Sequence, residues 1–406
     1  MSLSRSAAIV VFLAFAFAYF FSALLRAVTA TLAPVFSAEL GLRAGDLGLL
    51  AGAYFFGFAA LQLPLGRALD RFGPRRTLLV LLTLAVAGCA AFAMARGLPA
   101  LIAARVLIGA GVGACLMAPL TCYRRLYAPA AQLRANAWML MTGSLGMVAS
   151  TLPVQMLLPL LGWRGLFWVI AGLLLCSMVL VAWLVPRDPV RCPQVGVEPT
   201  RYAAIVRHPL FVRTAPLGFV VYGGLVAVQS LWAGPWLTRV CGWSDTQAAQ
   251  GLFGINLSML LAFLAWGAVM PRLARRGITA MQLMTWGLPL SLLLLLANVA
   301  LGSRAGALNW AAWCVSCTFV SVSQPAVGAA FPAAQAGRAL SAFNLVIFAG
   351  VFCIQWGLGL AIDLLRSQGL VESEAFRLAF LAFGLCCALA YAWFLRRAPQ
   401  AAHNPH

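Results

Sequence analysis

Two arginines stand where an arginine is expensive. Arg26 lies in Tyr19-Phe20-Phe21-Ser22-Ala23-Leu24-Leu25-Arg26-Ala27-Val28, and Arg105 opens Arg105-Val106-Leu107-Ile108-Gly109-Ala110-Gly111-Val112-Gly113, both inside long apolar runs. If those runs cross a bilayer, each arginine costs roughly 2.5–3.5 kcal/mol at a helix centre and will not face lipid. The planar guanidinium fork suits a carboxylate or a phosphate, so each is a candidate anion contact. For Arg105 a structural bond to backbone carbonyls is an equally open reading. The nine acids are Glu39, Asp46, Asp70, Asp188, Glu198, Asp245, Asp363, Glu372 and Glu374, and none falls at the middle of an apolar run. Three histidines, His208, His403 and His406, also lie outside those runs. With no paired carboxylates, no histidine cluster and no nucleophile motif, enzymatic chemistry has no site here. Eleven cysteines are scattered, mostly within apolar runs, and Cys314 and Cys317 lack further ligands at metal-site spacing. Twelve methionines would permit soft-metal binding, but apolar filler is the simpler account. Neither a metal nor a cofactor is expected.

The elements that must hold these residues follow from composition. Of 406 residues, 63% are apolar and 9% charged, a ratio that excludes a soluble domain. The formal charge of +19 does not point to nucleic acid, because there is no lysine and the arginines sit in short gaps between apolar runs. Runs long enough to span a bilayer lie at about 7–38, 46–66, 77–95, 99–122, 136–158, 165–185, 214–238, 248–270, 279–300, 308–331, 339–365 and 374–395. The first begins like a signal peptide, with Arg5 before an apolar stretch, but is too long for one and reads as a retained helix. The pattern predicts an all-α polytopic membrane protein with 12 transmembrane helices in two six-helix repeats. The expected domains are a bundle over 1–185, a polar proline- and arginine-containing linker over 186–213, and a second bundle over 214–406.

Arginine placement sets the expected orientation. With the N-terminus inside, 19 of the 28 arginines fall in inner segments and seven (Arg43, Arg96, Arg164, Arg239, Arg304, Arg366, Arg377) in outer ones. The remaining two are Arg26 and Arg105. Both termini are therefore expected in the cytoplasm. Alanine and arginine usage without lysine suggests a bacterial protein of the inner membrane.

Between the second and third runs stands Gly66-Arg67-Ala68-Leu69-Asp70-Arg71-Phe72-Gly73-Pro74-Arg75-Arg76. It reads as a tight basic turn whose glycines let helix ends approach and whose proline stops a helix. At Gly66, Asp70, Arg71, Gly73, Arg75 and Arg76 it resembles the loop between helices 2 and 3 of the major facilitator superfamily. A degenerate copy, Gly267-Ala268-Val269-Met270-Pro271-Arg272-Leu273-Ala274-Arg275-Arg276, follows 201 residues later, with Pro271 in place of the acid. The Arg105–Gly113 stretch is similar to the superfamily's R-x-x-x-G-x-G-x-G pattern, with Gly109 and Gly113 on one packing face. The resemblance implies two repeats rocking about a midplane cavity. It also implies a latch, in which Asp70 faces the start of the eleventh helix near Arg338 and Ser341, supported by Gly66, Arg71, Gly73, Arg75, Arg76, Arg272 and Arg276. Balancing the local arginines is the plainer role for Asp70.

The first two helices also resemble the superfamily's organic-anion branches, through Leu25-Arg26, Pro34, Gly41-Leu42, Leu47-Gly48, Tyr54-Phe55 and Gln62-Leu63-Pro64. Those branches use an arginine of the first helix to bind the anion. The seventh helix has Tyr222, Gln229 and Ser230 where the organophosphate branch has a second arginine, which favours a monocarboxylate or another small anion over a phosphate ester. The fifth helix lacks the glycine-proline pair of proton-coupled drug exporters. The expected substrate-binding set is Arg26, Tyr54, Arg105, Tyr222, Gln229, Asn256, Gln324 and Asn344, each polar member of which could equally bridge two helices, as could Gln155 and Gln355. The expected function is a secondary transporter moving a small organic anion by alternating access, with export of drug-like amphipathic compounds as the alternative. Its partners are a small-molecule substrate and the lipid bilayer. Coupling to a proton or another ion has no evident carrier residue, no nucleic acid is expected, and the chain is expected to act as a monomer.

Overall fold

The computed structural model describes residues 4–187 and 202–396, and among the described residues all regular structure is helical. Helix α1 (Arg5–Leu40) is capped by the Ser4 side chain, which accepts from the Ala7 amide at 3.3 Å, and ends at left-handed Gly41. Helix α2 (Ala44–Ala60) bends by 41° at Leu61 into Gln62–Leu69. Helix α3 (Arg71–Met94) follows, and Gly73, at φ 80° and ψ 162°, breaks its helical path near the start. A side chain disfavours that conformation, and Pro74 follows it as an unstrained first helical residue. Then come α4 (Leu98–Leu126), α5 (Pro129–Ala149, continued through 152–161) and, beyond Gly162, α6 (163–184). The remaining helices are α7 (Pro209–Val240), α8 (Asp245–Arg275), α9 (Ala280–Leu301), α10 (Ala307–Cys317 and Ser323–Ala329, joined by a 3-10 turn), α11 (Gln335–Ser367) and α12 (Glu372–Arg396).

Nine helices of the described residues are long and apolar enough to cross a membrane, ten with the bent α2. All twelve expected runs are helical, but two do not meet that test. Pro129–Ala149 carries Gln132, Arg134, Asn136, Thr142 and Ser144, and α10 is interrupted at Thr318–Val322. The centre of the expected linker, 188–201, lies outside the described residues. Its far end is helical already: α7 begins at Pro209, and Arg213 donates from Nε to the Phe394 carbonyl of α12 at 2.9 Å.

Packing is close where small residues allow it. Gly57 of α2 rests on the Val106 carbonyl of α4, and Gly109 of α4 on the Tyr54 carbonyl of α2. A Cβ at either would clash with backbone, the reason small residues occupy helix contacts in lipid. The expected partner Gly113 does not join this face; its neighbours are carbonyls of its own helix. Gly111 takes the other side, against Ala85 of α3.

The first six helices meet the last six chiefly where α2 packs on α11, α1 on α7, and α5 on α8. Gly48 and Gly359 let α2 and α11 meet backbone to backbone, at Gln355 and Ala44 respectively. The Asp363 carboxylate then accepts the amides of Ala44 at 3.2 Å and Gly45 at 2.8 Å, placing its charge on the N-terminus of α2. Phe348 of α11 meets Phe58 and Phe55 at 4.5 and 6.1 Å between ring centroids. One device recurs within each six-helix group. Arg164, at the start of α6, donates to the Ala95 carbonyl at the end of α3, while Arg377, early in α12, donates to the Val299 and Ala300 carbonyls at the end of α9.

Candidate functional site

Arg26 is on α1, facing α2 and α7. Its electrostatic neighbours are the phenols of Tyr19, Tyr54 and Tyr222, and its Cζ lies 5.8 Å from the centroid of the Phe58 ring. Tyr19 sits two helical turns before Arg26 and so shares its face; Phe58 follows Tyr54 by one turn. The Arg26 Nε is buried without a hydrogen-bond partner. Among the described residues ion pairs join Arg164 to Glu39 and Arg366 to Glu372, and no acid faces Arg26. A cation is thus held within the span by hydroxyl groups and an aromatic face alone. Such a group attracts an anion, and an aromatic surround accommodates an apolar body beside it.

The structure gives Arg105 different surroundings. It is 1% exposed, its Nη1 donates to the Leu25 carbonyl at 2.9 Å, and its Cζ lies over the Phe92 and Tyr54 rings at 5.6 and 5.9 Å. It ties α4 to α1 at the residue before Arg26. Tyr54 is shared: its ring is beside Arg105 while its hydroxyl donates to the Ser22 carbonyl at 3.1 Å.

From Tyr222's turn onward α7 is wound with wide i→i+5 turns, at Leu217–Tyr222, Val228–Trp232 and Trp236–Val240. Such turns often mark functional sites. The second carries Gln229 and Ser230 inward. Gln229 Nε2 donates to Asn256 Oδ1 at 2.9 Å, and Asn256 Nδ2 donates to the Leu252 carbonyl of its own helix. Gln355 Nε2 donates to Ser230 Oγ at 2.9 Å, leaving Gln355 Oε1 buried without a partner. Gln324 and Asn344 pair with each other, Nε2 to Oδ1, between α10 and α11. The expected polar set therefore divides. Arg26, Tyr54 and Tyr222 cluster together, whereas Gln229–Asn256 and Gln324–Asn344 are helix-bridging pairs. Tyr19 and Phe58 complete the surroundings of Arg26; the seven-residue step from Tyr19 to Arg26 is the sequence signal for the first.

At the 66–76 turn, the Asp70 side chain lies outside the described residues. Arg71 is exposed beside the Phe72 ring at 5.2 Å, Arg75 donates to the Ala182 carbonyl of α6, and Arg125 of α4 donates to the Leu69 carbonyl at 3.4 Å. Arg76 is exposed at the rim of an apolar groove of about 370 Å³ beside the α2 bend. Gly66 faces open space with no neighbour within 4 Å, so it makes no close helix approach, and Gly267 is likewise open. Arg272 donates to the Ala268 carbonyl one turn back, Arg276 is exposed, and Arg338 is half-buried near the start of α11. In the second copy the left-handed glycine is Gly277, not a residue aligned with Gly73.

The opposite face holds a second cavity, of about 160 Å³, between the ends of α1, α2, α7, α11 and α12. Below it the first and last helix groups touch where Gly234 of α7 meets Ala30 of α1; a Cβ at Gly234 would stand 2.7 Å from the Ala30 carbonyl oxygen.

Comparison with known proteins places this geometry. A family model described as Major Facilitator Superfamily matches residues 15–352. A chloramphenicol resistance protein of Streptomyces lividans is 31% identical over 55% of this chain and 58% of its own length. A probable sulfoacetate transporter of Cupriavidus necator is 25% identical over 57% of each chain. The chain thus spans less than two thirds of the curated relatives it matches. Among solved structures, a bacterial homologue of the human lysosomal transporter Spinster superposes with a TM-score of 0.76 at 17% identity, covering 98% of this chain and all of that one. A D-xylose–proton symporter superposes with a TM-score of 0.78 at 13% identity, over 97% of this chain and 98% of its own.

Proposed function

The chain belongs to the major facilitator superfamily, and from that premise we propose that it is a secondary transporter of a small organic anion, working by alternating access. The observation that carries the anion reading is Arg26: a half-buried guanidinium within the span whose Nε is buried without a partner, with an aromatic and phenolic surround and no acid of the described residues against it. A permanently uncompensated charge at that depth is costly; an anionic substrate would neutralise it. The proposed domain bounds are 1–185 and 214–406 about a cytoplasmic linker, in the inner membrane of a bacterium, with both termini inside. That orientation places the 66–76 turn inside, with Asp70 as the inner latch toward the start of α11, and the Asp363–α2 contact outside.

A thermal-stability screen of the purified protein tests the reading. The probes are acetate, sulfoacetate, inorganic phosphate and chloramphenicol, on wild type and Arg26→Ala. A ligand at one hundred times its dissociation constant adds about 2.7 kcal/mol. Stabilisation by the carboxylates, lost in Arg26→Ala, is the expected outcome. Equal stabilisation of both proteins by chloramphenicol alone would favour the second reading, export of drug-like compounds. The aromatic walls formed by Tyr19, Phe58 and Tyr222 support that second reading.

A further inference from the structure

The cavity on the 40–44 face has a character that the Arg26 site lacks. Arg43 from α2, Arg239 from α7 and Arg366 from α11 line it, against one acid, Glu372. Arg366 is 3.9 Å from Glu372, while Arg43 and Arg239 form no ion pair with a described residue. Two other acids stand near the rim, and both are engaged elsewhere. Asp46 accepts the Arg43 amide at 3.0 Å, and Asp363 accepts those of Ala44 and Gly45. Arginine is also disfavoured on an outer face by the bias that orients membrane proteins, yet three converge here from helices of both six-helix groups. The Ser37 hydroxyl and the Trp232 ring supply a hydrogen-bonding and an apolar wall.

Resting on the anion reading above, we propose that this cavity is an external loading site for the same class of ligand, a small carboxylate or sulfonate, in series with Arg26. Ser37 and Arg26 lie on one continuous helix, eleven residues and so about 16 Å apart. Between the two levels Gly234 packs on the Ala30 carbonyl, one turn above Arg26, and so narrows the path. An anion from the outer face would be drawn in by Arg43 and Arg239 and held above this contact. It would descend to Arg26 when the α1–α7 and α2–α11 contacts part. Convergent charges of one sign at the mouth of a low-dielectric cleft raise the local anion concentration in this way. No covalent step is involved.

The test is calorimetric titration of the full chain in nanodiscs with sulfoacetate, acetate and inorganic sulfate. Four proteins are compared: wild type, Arg26→Ala, the double variant Arg43→Gln/Arg239→Gln, and the triple combination. Arg43 and Arg239 are exposed, so their replacement leaves folding intact; an unchanged melting temperature checks this, and Arg239→Lys keeps the charge as a second control. The expected result is a weak binding event that survives Arg26→Ala, weakens about tenfold between low salt and 0.5 M salt as screened charges do, and is absent from the triple variant. If Arg26→Ala leaves no event, or leaves one that the triple variant retains, the loading site is overturned while the anion reading stands. If wild type binds none of the three probes, both are overturned.

Discussion

At the scale of the residue, the two in-span arginines have the same charge and different circumstances. Each has a buried Nε without a partner, but Arg105 donates from Nη1 to the Leu25 carbonyl and rests on two aromatic rings. Arg26 has only phenols and one aromatic ring about it. Their effects on the ligand-free protein should therefore differ in sign. Arg105→Met is expected to destabilise by roughly 1–3 kcal/mol, because it removes a buried charge-assisted hydrogen bond between α4 and α1. Arg26→Met is expected to leave the apo protein as stable or more so, since replacing an uncompensated buried charge by an apolar side chain of similar volume is often neutral or favourable. Denaturation midpoints of the two variants in one detergent check both; destabilisation by Arg26→Met would mean that Arg26 has a structural partner after all.

At the scale of the element, the end of α2 is held by a charge on the other six-helix group. Asp363 faces two N-terminal amides, where a carboxylate contributes about 0.3–1 kcal/mol through the helix dipole, or up to ~2 kcal/mol when partly buried. Asp363→Asn keeps the shape and removes the charge. The expected result is a shift of about 2- to 5-fold toward separation of the α2 and α11 ends. Spin-label distances between the 40–44 and 367–371 turns would read it, and an unchanged distribution would show that glycine packing alone sustains the contact. The element scale also explains what sequence reading missed. Asp363 is one of nine acids and lies near the end of an apolar run, but nothing in its neighbours signals that its partner is 318 residues away at Gly45. The wide turns of α7 are equally silent, because Gly, Val, Gln and Ser occur in ordinary helices too.

At the scale of the whole molecule, the proposed alternating access requires the α2–α11 contact to open. Gly52 and Phe352 face each other there, with Phe352 ring carbon 3.0 Å from the position a Cβ would take. A Gly52→Cys/Phe352→Cys pair, in a background with the native cysteines replaced, is expected to form a disulfide on oxidation. That crosslink should abolish transport in proteoliposomes by at least tenfold, and a reductant should restore it. Transport that continues with the bridge formed would show that these helices do not part.

What could be read from residue types is what depends on local chemistry and on the bilayer. Apolar length places twelve helical runs, because a spanning segment must satisfy its own backbone. Arginine bias suggests an orientation, and the 66–76 turn with its copy at 267–276 points to a repeat and a family. The cost of charge in lipid singles out Arg26 and Arg105 before any fold is known. Pairing lies beyond that reach, because it depends on which helix faces which. Spacing cannot tell that Arg105 meets a carbonyl and Arg26 does not, or that Gln229 is spent on Asn256. Nor can it place Arg43, Arg239 and Arg366, three scattered arginines, around one cavity. Those relations are set by close contacts between distant backbones, at Gly48 with Gln355 and Gly234 with Ala30, and they exist only once the helices have packed.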